Sequence, residues 1–316
     1  MAGCPRPISP LGLLWVFFLI SALLPKLRLR PLNLTYLMDA PCFTVVIVTY
    51  NYGRFLRAAL DSVLAQSCQD FELIVVDGAS TDGTVDILQE YAPRLAWWVS
   101  EPDCGQSDAF NKGFARGRGR YFVWLNADDI LLPGALAAAK LALADGRYAW
   151  ASGDFVRTDA ALNIISCFRG PTRQPAWLRR ADAPITVCGP SSFFSAELYR
   201  EVGGFAVDLH YAMDVDLWLK FMARGHYPRR FTHYCWAFRM HEQSKTADQF
   251  SAYVNPRAKE IQAEVAALYA RLGYRLSPWA RLLSAVQKIT DGSALGTWAD
   301  TRAFRGKPAS RISPTA

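Results

Sequence analysis

Apolar residues arrive in two kinds of run along this chain, and a regular alternation between them starts at Phe43. "FTVVIVTY" (43–50) is continuous and β-branched, the pattern of a parallel strand covered on both faces. "RFLRAALDSVLAQS" (54–67) then carries Leu56, Ala59, Leu60, Val63 and Leu64 at helical spacing. The alternation continues through strands "FELIVVD" (71–77), "AWWVSEP" (96–102) and Tyr121–Leu125, with helices "TVDILQEYA" (84–92) and "SDAFNKGFARG" (107–117) between them. Strand and helix in such succession predict right-handed crossovers and a doubly wound, mainly parallel α/β sheet with helices on both faces.

From Tyr148 the pattern loosens. "YAWASGDF" (148–155) predicts a strand, and 160–185 reads as irregular. A turn, short helix and Gly-Gly corner follow in "GPSSFFSAELYREVGGF", then a helix in "HYAMDVDLWLKFMARG" (210–225) and a strand running into a polar loop in "YCWAFRMHEQSKT" (234–246). Beyond Gln249 come two helices (258–273 and 278–289) and, from Arg302, a basic tail rich in Pro, Ser and Arg that composition predicts to be disordered. The expected organisation is an N-terminal hydrophobic and basic extension (1–40), an α/β domain (41–248), and a C-terminal helical extension with the tail (249–316).

In doubly wound sheets ligands bind outside the carboxyl ends of the strands. The polar residues gather there: Thr49 and Asn51 after the first strand, Asp77 after the second, Glu101 to Asp108 after the third, Asn126 to Asp129 after the fourth. Asp128 and Asp129 are the sharpest case. Two adjacent carboxylates at the end of a buried strand repel each other unless a cation or donors stand nearby. A helix cap before Pro133-Gly134 explains one of them, not both. The first turn lacks GxGxxG, which argues against a Rossmann dinucleotide site.

At 316 residues the chain can hold a large core, and its net charge of +7 favours acidic partners such as phosphorylated ligands or an anionic membrane surface. Nucleic acid is not expected: the basic residues are scattered and no nucleic-acid-binding signature occurs. The seven cysteines have no metal-type spacing, which suggests buried thiols and a reducing compartment. Near the N-terminus, "LGLLWVFFLISALL" (11–24) is shorter than the roughly 20 residues of a full span and is followed by Lys26, Arg28 and Arg30. Three readings stay open for it: a short anchor or interfacial helix, a segment upstream of a true start at Met38, or a signal peptide. The first places the protein in the cytoplasm, peripheral to or anchored in the inner face of the plasma membrane.

Five motifs, "VVIVTYNYGRFLRAALDSVLAQ", "ELIVVDGASTDGT", "EPDCGQSDAFNKG", "WLNADD" and "AMDVDLWLK", together resemble the inverting family-2 glycosyltransferases of the GT-A fold, over roughly residues 43–246. The resemblance implies a nucleotide-sugar donor, a divalent cation (Mn²⁺ or Mg²⁺), hexosyl transfer with inversion, and a glycan or lipid-linked acceptor in cell-surface polysaccharide synthesis. It implies Asp129 as metal ligand, Asp128 on the donor ribose or sugar, and Asp77 on the nucleobase or ribose. Thr49, Tyr50 and Asn51 line the same end. Asp103, Gln106, Asp108 and Asn111 border the nucleotide and sugar; Asp108 also reads as a helix-start charge. Asn126 stands where the metal motif usually begins with Asp.

Asp214 takes the place of the family's catalytic base, with Asp216 reading as a helix-start charge and Met213 standing where a Glu is often found. His241 resembles the late-loop residue that meets metal or diphosphate, with Arg239 and Lys245 adding positive charge; a structural role for this histidine is the alternative. Two other functions remain in view: a nucleotidyltransferase, for which "TYNYGRF" is a poor phosphate loop, and a non-catalytic nucleotide-sugar-binding protein on the same fold.

Overall fold

The structure, a computed structural model, describes residues 40–171, 189–245, 258–273 and 278–312. The chain divides into two compact units, Met1–Ala40 and Pro41–Ala316. The readings of the 11–24 run therefore lie outside the described residues. Among the described residues no helix is long and apolar enough to cross a membrane.

The second unit is built on one nine-stranded sheet. In chain order come β1 (Phe43–Thr49), α1 (Gly53–Leu64), β2 (Phe71–Asp77), α2 (Thr84–Tyr91), β3 (Trp97–Ser100), α3 (Gln106–Arg116), β4 (Tyr121–Asn126), β5 (Ile130–Leu131) and α4 (Ala135–Leu143). Then follow β6 (Trp150–Thr158), β7 (Ile164–Phe168), β8 (Ser192–Ser195), α5 (Ala196–Glu201), α6 (Met213–Ala223), β9 (Arg229–Arg239), α7 (Ala258–Arg271), α8 (Pro278–Thr290) and α9 (Ser293–Phe304). The strand order is β3-β2-β1-β4-β8-β6-β9-β5, with β7 paired to β6.

The first four strands are parallel, and every residue of β1 is buried, as its β-branched run requires. Beyond β4 the sheet is mixed: β8 runs antiparallel to β4 and β6, while β9 lies parallel to β6 and antiparallel to β5. Helices cover both faces. Leu56, Leu60 and Val63 of α1, Leu88 of α2 and Leu136 of α4 fill one core. Phe110 and Phe114 of α3 and Trp218 and Phe221 of α6 fill the other, where Trp218 stacks on Trp150 at 4.7 Å. Leu268 and Tyr269 of α7 belong to this second core.

Three expectations need correction. The irregular 160–185 stretch contains a strand, β7, hydrogen-bonded to β6. The tail after Arg302 is ordered as far as Ile312. The Ile164 amide donates to the Lys307 carbonyl, and Ala309 and Ile312 are buried against Val156, Ile164 and Ala237. A few apolar side chains inserted beside a strand edge outweigh the polar composition around them. Lastly, the cysteines are not mainly buried: of the five described, all free, Cys167 and Cys235 are buried, Cys42 and Cys68 half-buried, and Cys104 exposed.

Candidate active site

Parallel register puts the strand ends in a row. Thr49 of β1 stands opposite Asp77 of β2, Asp77 opposite Ser100 of β3, and Val48 opposite Asn126 of β4. Asp77 is sealed from solvent. It accepts hydrogen bonds from the Ser80 hydroxyl and amide and, at 2.6 Å, from the Ser100 hydroxyl. Its carboxylate thus orders the 78–83 loop. The same loop is tied to β1 through Asn51, whose amide donates to Ser80 Oγ at 2.7 Å and whose Oδ1 accepts the Thr81 amide at 2.9 Å. Asn51 holds φ at 56°, the left-handed region that Asn tolerates better than most side chains.

Tyr50 projects outward, 61% exposed. A Cβ on Gly78 would lie 2.7 Å from Asp103 Oδ2 and 3.3 Å from the Tyr50 ring. Glycine at this position is what lets that ring and that carboxylate close in on the strand end. The Thr49 hydroxyl is buried with no hydrogen-bond partner, a free polar atom beside Asp77.

The carboxylate pair resolves into two unlike residues. Asp129 is closed to solvent, its oxygens taken by the Arg239 amide at 2.9 Å and the Asn126 side-chain amide at 3.1 Å. Burial first, and the neighbouring Asp128 charge second, push its carboxyl well above the ordinary carboxylate range. Asp128 instead presents Oδ2 to His241 Nε2 at 3.1 Å. The imidazole is held edge-on by Tyr52 and lies 4.5 Å, centroid to centroid, from the Phe55 ring. Its Nδ1 accepts the Gln243 amide at 3.3 Å and faces Arg54 Nη2 at 3.5 Å. Tyr52 also reaches the 241–245 loop, donating to the Gln243 carbonyl.

Asp128 Oδ2 and His241 Nε2, 3.1 Å apart, are an oxygen and a nitrogen that would together hold a divalent cation. Asp129, the expected metal ligand, has its two oxygens occupied by the Arg239 and Asn126 amides, whereas Asp128 Oδ2 and His241 Nε2 face each other. No group of three or more potential metal ligands occurs among the described residues. Beside the pair lies the Arg239 guanidinium, 4.8 Å from the Phe55 ring centre and buried, with Nε and Nη2 lacking hydrogen-bond partners. Buried donors without acceptors are costly, and an anion would satisfy them.

Asp214 opens α6. It accepts the amides of Val215 and Gly189, and among the described residues it has no salt bridge. Burial raises its pKa to about 6, only partly offset by those amides. Gly189 in turn lies against Trp124 and Trp236, on the strands that carry Asn126 and Arg239. Asp216, two residues along, is consumed structurally by Lys220 at 2.7 Å and Arg271 at 3.4 Å. The turn before α6 is fixed by Glu264 of α7, which takes the amides of His210, Tyr211 and Ala212 at 2.7 to 3.0 Å.

The other expected site residues divide. Gln106 donates to Asn126 Oδ1 at 2.6 Å, and Asp103 accepts the Gly105 amide, so both border the strand ends. Asn111 does not: its Oδ1 accepts from Tyr199 and the Phe205 amide and its Nδ2 donates to the Phe205 carbonyl, bracing the Gly-Gly corner. Asp108 acts at its helix start, accepting the Cys104 amide and pairing with Lys112 at 3.4 Å. Lys245 donates to the His210 carbonyl and lies over the Tyr211 ring, linking the late loop to the segment that precedes Asp214. Sequence reading missed Glu264, Arg54 and Tyr52; the last two sit inside the "TYNYGRF" motif, and Glu264 carries no local signal.

A parallel half-sheet with polar residues at its strand ends, a histidine just after the last strand and a helix-start carboxylate is the layout of the GT-A class of glycosyltransferases. The Glycosyl transferase family 2 profile matches residues 44–201. A PGL/p-HBAD biosynthesis glycosyltransferase of Mycobacterium bovis is 29% identical over 242 residues, covering 76% of this chain and 89% of that protein. The fold is shared with S. aureus TarS 1–349 in complex with UDP-GlcNAc (TM-score 0.55, 17% identity, 78% of this chain and 69% of that one). It is also shared with the mannosyltransferase PcManGT from Pyrobaculum calidifontis in complex with GDP-Man and Mn²⁺ (TM-score 0.50, 23% identity, 93% and 89%). The chain belongs to Glycosyl transferase family 2.

Proposed function

We propose that this glycosyltransferase moves a hexosyl group, with inversion, from a nucleoside diphosphate sugar to a hydroxyl of a glycan or lipid-linked acceptor. The observation that carries the reading is the Asp128–His241 pair beside the unpartnered Arg239 guanidinium: a place for a cation and a place for the anion that the cation accompanies. The GDP-Man and Mn²⁺ on PcManGT, and the UDP-GlcNAc on TarS, support the same ligand class. The M. bovis relative's role in PGL/p-HBAD biosynthesis supports a glycoconjugate acceptor.

In this reading Tyr50 stacks on the base, while Thr49, Gly78 and Asp103 shape the nucleoside end. Asp128 and His241 would hold a divalent cation, Mn²⁺ or Mg²⁺, whose chemistry when bound would be to neutralise negative charge on a diphosphate. Arg239 donates to the same diphosphate. Asp214 takes the acceptor hydroxyl's proton while that oxygen bonds to the anomeric carbon. The carbon–phosphate oxygen bond breaks from the opposite face, its electron pair leaving with the diphosphate. A carboxylate with no paired cation and a pKa of about 6 is a stronger base than an ordinary aspartate and still ionised at neutral pH. Asp129 and Asp77 act as braces.

Titration calorimetry of UDP and GDP, each with Mn²⁺, Mg²⁺ or EDTA, tests the reading directly. Metal-dependent binding of one diphosphate that disappears in Asp128→Ala and persists in Asp214→Asn is the expected result. Equal binding with and without EDTA in every variant would overturn the metal pair.

A further inference from the structure

Among the described residues ten large hydrophobic side chains are exposed, and five of them fall on the last two helices. On α8 they are Leu282, Val286 and Ile289, at 53%, 46% and 63% exposure. Their spacing of four and three residues places them on one helix face. On α9 they are Leu295 and Trp298, at 67% and 62%, again one turn apart. The opposite face of α9 is what holds it to the body. Thr297 and Thr301 accept the amides of Arg169 and Cys167, Asp300 pairs with Arg169 at 2.6 Å, and Phe304 packs on the third core. The outward stripe is thus left over after packing is complete. The two helices touch each other and are joined through Asp291-Gly292, where Gly292 turns the chain at φ 78°.

Charge decides what this surface meets. Residues 278–312 contain six basic residues (Arg281, Lys288, Arg302, Arg305, Lys307, Arg311) and two acidic ones, Asp291 and Asp300. Asp300 is buried against Arg169 and takes no part in the surface. The Arg302 guanidinium lies 5.6 Å from the Trp298 ring centre, next to the exposed stripe. An apolar stripe with an exposed tryptophan, in a segment where basic residues outnumber acidic ones six to two, matches the boundary between anionic headgroups and acyl chains. A second copy of this chain would bring the same positive charge against itself and is disfavoured.

We infer that the outer face of α8 and α9, with the basic segment 302–311, is a docking surface for an anionic lipid bilayer. Leu282, Val286, Ile289, Leu295 and Trp298 enter the interface, and the arginines and lysines pair with headgroups. The inference goes beyond the proposed function and does not rest on the transfer chemistry. Its loss would leave donor binding and its metal dependence untouched.

Co-sedimentation of the full chain with vesicles of phosphatidylcholine alone, or with added phosphatidylglycerol, tests it. Binding is expected to the mixed vesicles and to weaken, not vanish, as salt rises. The triple variant Ile289→Glu, Leu295→Glu, Trp298→Glu alters only exposed positions and should bind more than about tenfold more weakly. Arg302→Gln with Arg305→Gln should reduce the preference for phosphatidylglycerol. Circular dichroism melting and UDP binding, unchanged in both variants, show that the fold and donor site survive. Vesicle binding of the triple variant equal to that of the unaltered chain overturns the inference. So does light scattering that shows a dimer dissolved by the triple variant, since the stripe would then be an interface between copies.

Discussion

The first four strands and the strands that follow them build their halves of the site by different means. In β1 to β4 the functional groups stand at strand ends aligned by register, and their partners are one crossover away: Asp77 with Ser80 and Ser100, Asn51 with Thr81. Beyond β4 each group is held by residues far along the chain. Asp129 takes the amide of Arg239, His241 is boxed by Tyr52 and Phe55, and the turn before Asp214 hangs on Glu264. The nucleotide end is therefore a property of a local fold, while the reacting end is a property of the whole second unit. Damage should separate within the second half: changes at Asp214 and its support should lower turnover and spare donor binding, while changes at Asp128 should remove donor binding itself.

Asp214→Asn tests the comparison hardest. It should lower turnover by about 10²–10⁴-fold with diphosphate affinity nearly unchanged, whereas Asp216→Asn should act mainly on stability by breaking the Lys220 and Arg271 contacts. Full turnover in Asp214→Asn would remove it as the base. Asp128→Ala and Asp129→Ala should next diverge. The first should abolish Mn²⁺-dependent diphosphate binding in a stably folded protein. The second should lower the melting temperature, because the Arg239 and Asn126 amides lose their buried acceptor, at a cost of about 1–3 kcal/mol each.

Glu264→Gln should reduce turnover by roughly tenfold, as expected when an oriented group loses its support, with little effect on donor affinity. Burial pulls the Glu264 carboxyl upward, but the amides of Tyr211, Ala212 and His210 outweigh it and hold it below its usual range. Its contribution to stability is thus present above the unfolded-state pKa and fades as pH falls through the depressed folded value. A melting series from pH 7 downward in Glu264→Gln and the unaltered chain should converge at the acid end.

The smallest effect is the most diagnostic. Asp214, raised to about 6, must be ionised to act, so turnover should rise with pH through about 6. Its stability contribution has the opposite sign: ionising a desolvated carboxyl costs the folded state. Asp214→Asn should therefore be more stable than the unaltered chain at neutral pH, by about 1–2 kcal/mol, with the gain vanishing below about pH 4. An Asn variant equally or less stable at pH 7 would place Asp214 in a well-solvated position.

The same division explains what the sequence allowed to be read. Strands β1 to β4 and the row Thr49, Asp77, Asn126 followed from apolar runs and crossovers, because parallel strands covered on both faces leave an unbroken signal. Which of two adjacent aspartates faces His241 did not follow, since the other is turned away by a backbone amide 110 positions along the chain. Asn111 reads as a site residue until the Gly-Gly corner is folded onto it. The tail resisted composition for a related reason: Pro308 bridges to Asn163, a contact no local window contains.

One topological detail governs how the molecule comes into being. β9 is inserted between β6 and β5, and its last residues deliver Arg239 and His241 to strands finished over a hundred residues earlier. The Tyr52–Gln243 hydrogen bond alone spans 191 positions. Closing such loops carries an entropic cost before any contact compensates, which makes high-contact-order assemblies slow. On the ribosome, the parallel nucleotide end can condense while β9 is still unsynthesised, but the Asp128–His241 pair has no partner until that strand threads into its slot. A chain released before residue 239 would keep open strand edges on β5 and β6, exposed to pairing with other chains. Asp128 and His241 thus meet only after β9 has joined the sheet.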